Sequence, residues 1–183
     1  MKKIVFFIGI ALFVQITFAQ ETTNTKWAKD VKAATLKNLH QLNNEIFRSE
    51  QPTKKSFKEL EKLGIKSSLN LRKYKRDNCN AGKSGVKLFR VKMWAPNIKE
   101  QEVVIALKIL KDAPKPIVIH CKYGSDRTGL ICAMYRIVFE NWTKKEAIDE
   151  LRNGGFGFHE KYENILQFIE NCDIDSIKKQ VLI

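Results

Sequence analysis

Apolar and polar residues alternate through "LHQLNNEIFRS", Leu39 to Ser49, on both sides of Asn43-Asn44. A period of two broken by paired asparagines predicts two strands joined by a tight turn. Gln51-Pro52-Thr53 interrupts the pattern, and "KKSFKELEKLG" then places Phe57, Leu60 and Leu63 three apart before Gly64, as a short amphipathic helix with a glycine stop would. "IKSSLNL" reads as a strand, "LRKYKRDNCNAGKSG" as a long polar surface loop, and "VKLFRVKMW" as another alternating strand. "IKEQEVVIALKIL" repeats apolar residues at helical spacing until Ala113-Pro114-Lys115-Pro116 ends it. "IVIH" is a short unbroken apolar run, suited to a strand covered on both faces. Three helical stretches follow: "GLICAMYRIVFENW", "TKKEAIDELRNGG" with Thr143 and Glu146 spaced as a capping box, and "EKYENILQFIENC". Strands that alternate with helices, followed by a helical tail, predict an α/β fold with a central, mostly parallel sheet flanked by helices.

The two ends of the pattern read differently from its middle. Met1-Lys2-Lys3 is basic, Ile4 to Phe18 is almost wholly apolar, and Ala19 is a small residue before Gln20. This is the pattern of a secretory signal peptide over residues 1–19, too short for the roughly 20 residues of a membrane span. Export to a bacterial periplasm or to the medium is the expectation, with no stable membrane span. Residues 20–38 form a polar N-terminal segment with Trp27, Val31 and Leu36 as its only large apolar residues, a tether or marginal helix. Residues 39–183 then make one domain.

The whole chain carries 33 Lys and Arg against 20 Asp and Glu, a formal charge of +13. Removing Lys2 and Lys3 with the leader leaves +11 on the remaining residues. Such a balance favours anionic partners. No internal repeat and no interleaving of basic and aromatic residues points to nucleic acid, and many lysines fall on solvated helix faces.

The chemistry concentrates in "HCKYGSDRTG", His120 to Gly129, between the buried strand and the first of the late helices. With Cys121 at the strand end, the amides of Lys122, Tyr123, Gly124, Ser125, Asp126 and Arg127 would turn inward beside a helix N-terminus and form a nest for an anion. Gly124 permits the sharp turn, and the forked guanidinium of Arg127 suits two oxygens of a phosphate. The same field favours a thiolate at Cys121, since such surroundings lower a thiol from about 8.5 to roughly 3.5–7.5. Thr128 is placed to hydrogen-bond the sulfur. No metal is required, no metal-ligand spacing is present, and His40, His120 and His159 are scattered. "AGKSG" at 81–85 is no nucleotide-binding loop, because Asp77 stands where its first glycine is needed.

"HCKYGSDRTG" resembles the His-Cys-five residues-Arg-Thr-Gly signature of the cysteine-dependent protein tyrosine and dual-specificity phosphatases. "IFRSEQP", "LGIKSSLNLR" and "NWTKKEAIDELRNGGFGFH" extend the resemblance to the compact bacterial and plant-fungal members, over about Leu39 to Asp173. The resemblance implies a protein tyrosine phosphatase-like fold and a two-step hydrolysis without cofactor. Cys121 would form a phosphocysteine, and Arg127 with the loop amides would hold the phosphoryl oxygens.

The chain departs from the family's pattern at the general acid. The usual Trp-Pro-Asp is here "WAPN", Trp94 to Asn97, and an asparagine amide cannot give up a proton. Asp126 is the expected substitute, with Asp77 as the alternative. Arg48 and Arg72 match family arginines that pin loops. Phosphotyrosine or dual-specificity protein substrates are favoured. Lys122, Lys73, Lys75 and Arg76 would also suit an inositol or lipid phosphate. The rival classes are a non-catalytic phosphate-binding module, which would have no need of Cys121, and a sulfur transferase, which would have no need of the Arg-Thr-Gly ending. Export exposes a reactive thiolate to oxidation, so a reversible disulfide of Cys121 with Cys79 or Cys132 is a further expectation; Cys172 is the remaining cysteine.

Overall fold

The computed structural model describes residues 26–183, so the expected signal peptide lies outside the described residues. Six strands form one sheet in the order β1-β2-β3-β6-β4-β5: β1 (Lys29–Asp30), β2 (His40–Gln41), β3 (Ile46–Ser49), β4 (Ser67–Arg72), β5 (Lys87–Met93) and β6 (Ile117–His120). The last four in spatial order, β3, β6, β4 and β5, run parallel, and β1 and β2 add an antiparallel edge. The unbroken "IVIH" run is the central strand, fully buried between β3 and β4.

Its alternating side chains serve two cores. Ile117 and Ile119 join Ile46, Leu69 and Leu71 on the face covered by α3 (Glu100–Asp112), α4 (Asp126–Phe139), α5 (Lys144–Asn153), α6 (Glu163–Asn171) and α7 (Ile174–Leu182). Val118 faces the other way, onto Phe57 and Leu60 of α1 (Lys54–Lys62) with Leu36 and Leu39. Local signals act as their chemistry requires: Thr53 caps α1 by accepting from the Ser56 amide, and Thr143 and Glu146 form the full capping box of α5.

Three segments differ from the pattern's expectation. The polar segment before Leu39 is no free tether or helix. Lys29–Asp30 pairs with β2, the Ala28 amide donates to Glu150, and Leu36 is buried. The long loop after β4 contains a single helical turn, α2 (Asn78–Ala81), because Asp77 turns inward and anchors it. The tail also carries one more helix, α7, begun by an Asp173 cap whose side chain accepts from the Ser176 amide. No helix among the described residues is long and apolar enough to cross a membrane.

Candidate active site

Parallel strands end on one side of a sheet, and loops there can converge on a ligand. Cys121 follows β6 directly and is buried, and the chain then passes through residues 122–125 into α4, which starts at Asp126. The loop is gripped from behind through its carbonyl oxygens. The Cys121 carbonyl faces His120 Nδ1 at 3.3 Å. The Lys122 carbonyl accepts from the Gln51 amide, and the Tyr123 carbonyl from Asn38 Nδ2 at 2.9 Å. The Gly124 carbonyl accepts from Arg48 Nη2 at 2.7 Å, and the Ser125 carbonyl from the Gly129 amide. With the Lys122, Tyr123 and Gly124 carbonyls engaged on groups from elsewhere in the chain, the amide side of the turn is the side left for a ligand.

Gly124 makes this possible twice over. Its φ is +77°, and a Cβ there would lie 2.5 Å from the Ser49 carbonyl oxygen. Ser125, at the N-cap of α4, does not cap the helix, because its hydroxyl donates to the Phe156 carbonyl at 2.8 Å. The first amides of α4 therefore keep their donors and their partial positive charge available.

Arg127 reaches across the ends of two strands, its Nη1 3.3 Å from the Met93 carbonyl and 3.5 Å from that of Leu71. Its Nε and the Thr128 hydroxyl are buried with no protein partner among the described residues. Buried donors without partners are rare and point to a missing acceptor.

Behind the loop stands a polar brace that sequence reading only partly anticipated. Arg48 is fully buried, with its guanidinium 3.7 Å from the Phe156 ring centroid, and burial pushes its pKa down from the ordinary value. Asp77 accepts from Gln51 Nε2 at 2.7 Å and Asn70 Nδ2 at 2.9 Å, and meets His120 Nε2 at 2.9 Å. Burial pushes the Asp77 carboxyl up, but these partners outweigh it and hold it below the ordinary carboxylate value. These three contacts tie Asp77 between Gln51, Asn70 and His120, where it braces the base of the loop. Arg72 pins Gln51 through Nη1 at 3.3 Å.

The stretch "WAPN" lies at the end of β5 as an exposed turn in which Trp94 and Asn97 bridge, and Asn97 has no side-chain partner there among the described residues. Asp126 is buried, and His159 donates its amide to Oδ1 at 3.0 Å while Nδ1 lies 2.9 Å from Oδ1 and 3.1 Å from Oδ2. His159 is the residue that sequence reading set aside as scattered. The glycine-dense "GGFGFH" was its signal, since Gly155 and Gly157 at φ +79° and +72° turn the chain back onto the loop.

The four cysteines are free thiols; Cys79 is exposed and Cys121, Cys132 and Cys172 are buried. Burial pushes the Cys132 thiol up to about 11, as for an unreactive core cysteine, and pushes Cys172 up as well. No cluster able to hold a metal ion occurs among the described residues.

A cysteine delivered by the central parallel strand into an arginine-closed loop defines a cysteine-based phosphatase. The chain belongs to the tyrosine phosphatase family, whose model matches residues 34–183, and is a phosphatase of the tyrosine and dual-specificity type. It is 31% identical over 165 residues to the dual specificity protein phosphatase TpbA of Pseudomonas aeruginosa, across 87% of this chain and 74% of the relative. It is 36% identical over 152 residues to the inositol diphosphatase SIW14 of Saccharomyces cerevisiae, across 78% of this chain and 53% of the relative. The crystal structure of TpbA matches with a TM-score of 0.79 and 29% identity, covering 88% of this chain and all of that one. The catalytic domain of SIW14 gives 0.69 and 34%, covering 81% of this chain and 93% of that one.

Proposed function

We propose that this chain is an exported phosphatase that hydrolyses phosphomonoesters on proteins, phosphotyrosine or dual-specificity substrates, through a phosphocysteine. One observation carries the reading. The loop after β6 has its Lys122, Tyr123 and Gly124 carbonyls engaged from elsewhere in the chain, while Arg127 Nε and the Thr128 hydroxyl are buried with no partner among the described residues. Those free donors and the amides of residues 122–127 supply what a phosphoryl dianion accepts.

In the first step the Cys121 thiolate attacks phosphorus and forms the S–P bond as the bond to the leaving oxygen breaks, and that oxygen takes a proton from Asp126. In the second, water attacks phosphorus, gives its proton back to Asp126, and the S–P bond breaks to release the thiolate and inorganic phosphate. Arg127 and the amides hold the same oxygens in both steps. The Thr128 hydroxyl, expected to bond the Cys121 sulfur, makes no bond to it in the structure and is left free to reach the sulfur or a phosphoryl oxygen during turnover.

The rim supports an aromatic phosphoester. Trp94 and Tyr123 are exposed beside the site, the Lys73 ammonium lies 4.5 Å from the Trp94 ring and the Lys122 ammonium 4.6 Å from the Tyr123 ring. TpbA has itself been solved with phosphotyrosine. A second reading, an inositol or lipid polyphosphate, draws support from an open cleft of about 340 Å³ whose lining includes Arg76, Arg90 and Lys92 together with the carboxylate-bearing Asp77 and the apolar Leu88 and Phe89. It suits further phosphates, and SIW14 is named an inositol diphosphatase.

The test is turnover of para-nitrophenyl phosphate by wild type and Cys121→Ser, followed by phosphotyrosine peptides, phosphoserine peptides and inositol polyphosphates at one pH. Wild-type turnover that falls to the blank in Cys121→Ser is expected. Absence of wild-type turnover, or full activity in Cys121→Ser, contradicts the reading. Export, expected from residues 1–19, is tested by locating the mature chain, with its N-terminus at Gln20, in the periplasm or medium.

A further inference from the structure

The contact between Asp126 and His159 joins two groups far apart in sequence at the mouth of the phosphate loop. The carboxylate of Asp126 is only 8% exposed, whereas the His159 side chain is 42% exposed. Oδ1 of Asp126 receives both the His159 amide and the short Nδ1 contact. Oδ2 has only the longer 3.1 Å contact to the same Nδ1 among the described residues, which leaves it a lone pair for another partner. A ring nitrogen facing a carboxylate carries hydrogen, so the carboxylate fixes Nδ1 as the donor, and Nε2 lies on the partly exposed ring.

The ring is also kept at the loop. Tyr123 of the loop lies 5.9 Å away between ring centroids and Tyr162 lies 6.3 Å away. The nearest acidic residue in sequence, Glu160, is paired with Arg152 and leaves Asp126 as the carboxylate that holds the imidazole.

We propose that His159 is a positioning residue and proton reservoir for Asp126. This rests on the assignment of Asp126 as general acid above. With His159 as the imidazolium and Asp126 as the carboxylate, Nδ1 passes its proton to the carboxylate and the leaving oxygen takes that proton from Asp126 Oδ2, leaving a carboxylate and a neutral ring with hydrogen on Nε2. In the second step the attacking water gives its proton to Oδ2, and the carboxyl returns one to Nδ1. Each proton lost in the first half-reaction is regained in the second, and Nε2 keeps its hydrogen throughout. The buried carboxyl is in this way supplied with a proton by the ring that contacts it.

The variant that separates this role from a latch is His159→Asn. An asparagine amide nitrogen can take the place of Nδ1 as donor to Asp126, and the backbone amide is untouched, but the side chain holds no exchangeable acid proton. Wild type and His159→Asn are compared on a series of aryl phosphates, with orthovanadate inhibition as a check that the loop still binds anions. The expected result is a loss of about tenfold or more with phenyl phosphate, whose leaving group needs a proton, and little change with para-nitrophenyl phosphate, whose leaving group departs as a stable anion. An equal loss across the series, or none, overturns the proposal. Should His159→Asn fail to bind vanadate, nitrogen NMR on wild type with labelled histidine decides instead: Nδ1 of His159 is expected to carry hydrogen at rest, and a ring protonated on Nε2 alone overturns the proposal. Cys121→Ser in the same series keeps the two readings apart. Loss of its activity beside an unchanged leaving-group series in His159→Asn removes only the role of His159, whereas absence of wild-type turnover removes the phosphatase reading itself.

Discussion

Two turns follow parallel strands β6 and β5, with β4 between those strands, and they are built to opposite standards. The turn after β6 has its Lys122, Tyr123 and Gly124 carbonyls engaged from elsewhere in the chain, a glycine whose replacement would strike Ser49, and buried donors without partners among the described residues just beyond it. The turn after β5 exposes Trp94, Pro96 and Asn97 and is held by its own bridge, with a bond from Asn164 to the Ala95 carbonyl and the Lys73 ammonium near the Trp94 ring as its outside ties. A group that must meet a reacting atom needs fixed surroundings. On the proposed mechanism, the difference would put nucleophile, clamp and proton supply together in the first turn and leave the second as a rim.

The sharpest way to break that contrast is to exchange its carboxylates. Asp126→Asn is expected to lower kcat/KM for phenyl phosphate by about 10²–10⁴-fold, the usual contribution of a general acid, with a smaller loss for para-nitrophenyl phosphate. Equal losses on both substrates would show that Asp126 only shapes the loop.

The brace behind the loop comes next. Arg48→Met removes the donor to the Gly124 carbonyl and the cation over Phe156. An unpaired buried carbonyl costs about 1–3 kcal/mol, to be seen as a lower urea midpoint together with weaker vanadate inhibition. An unchanged midpoint would show that the loop is self-supporting.

A smaller effect is expected at Asp77. Its carboxyl lies below the ordinary value of about 3.9 in the fold. The group therefore adds stability above that value, and the contribution is lost as pH falls through the lower folded value. Asp77→Asn should melt below wild type at neutral pH, with the gap closing under acid. A gap constant down to acid pH would show that the carboxylate charge has no part in the brace. The smallest effect belongs to the second turn: Asn97→Asp restores the family's usual residue but is expected to change phenyl phosphate turnover little in a protein that retains Asp126. A large gain there would show that the exposed turn closes over substrate.

Much of this was legible in the residues because the signals are local. Alternation marked β3, β4 and β5, a continuous run marked β6, and Thr143 with Glu146 marked the start of α5. Cys121 and Arg127 were legible because one seven-residue stretch holds both. What was not legible comes from far along the chain: Arg48 meets Gly124 across 76 positions, Asn38 meets Tyr123 across 85, and His159 meets Asp126 across 33. Folding brings these together, and no spacing rule encodes them. The strand at Lys29–Asp30 escaped notice because two residues cannot show a period, and α2 because its cap is a buried Asp77 in an otherwise polar stretch.

The phosphoenzyme is the most direct test of a loop that holds nucleophile and proton donor together. Asp126→Asn should slow the second half-reaction, which needs a base, while para-nitrophenyl phosphate still drives the first. Acid quenching of that variant during turnover, followed by mass spectrometry of the peptides, is predicted to show one phosphoryl group on Cys121. Turnover with no phosphorylated peptide, or with the phosphoryl group on any other residue, would contradict it.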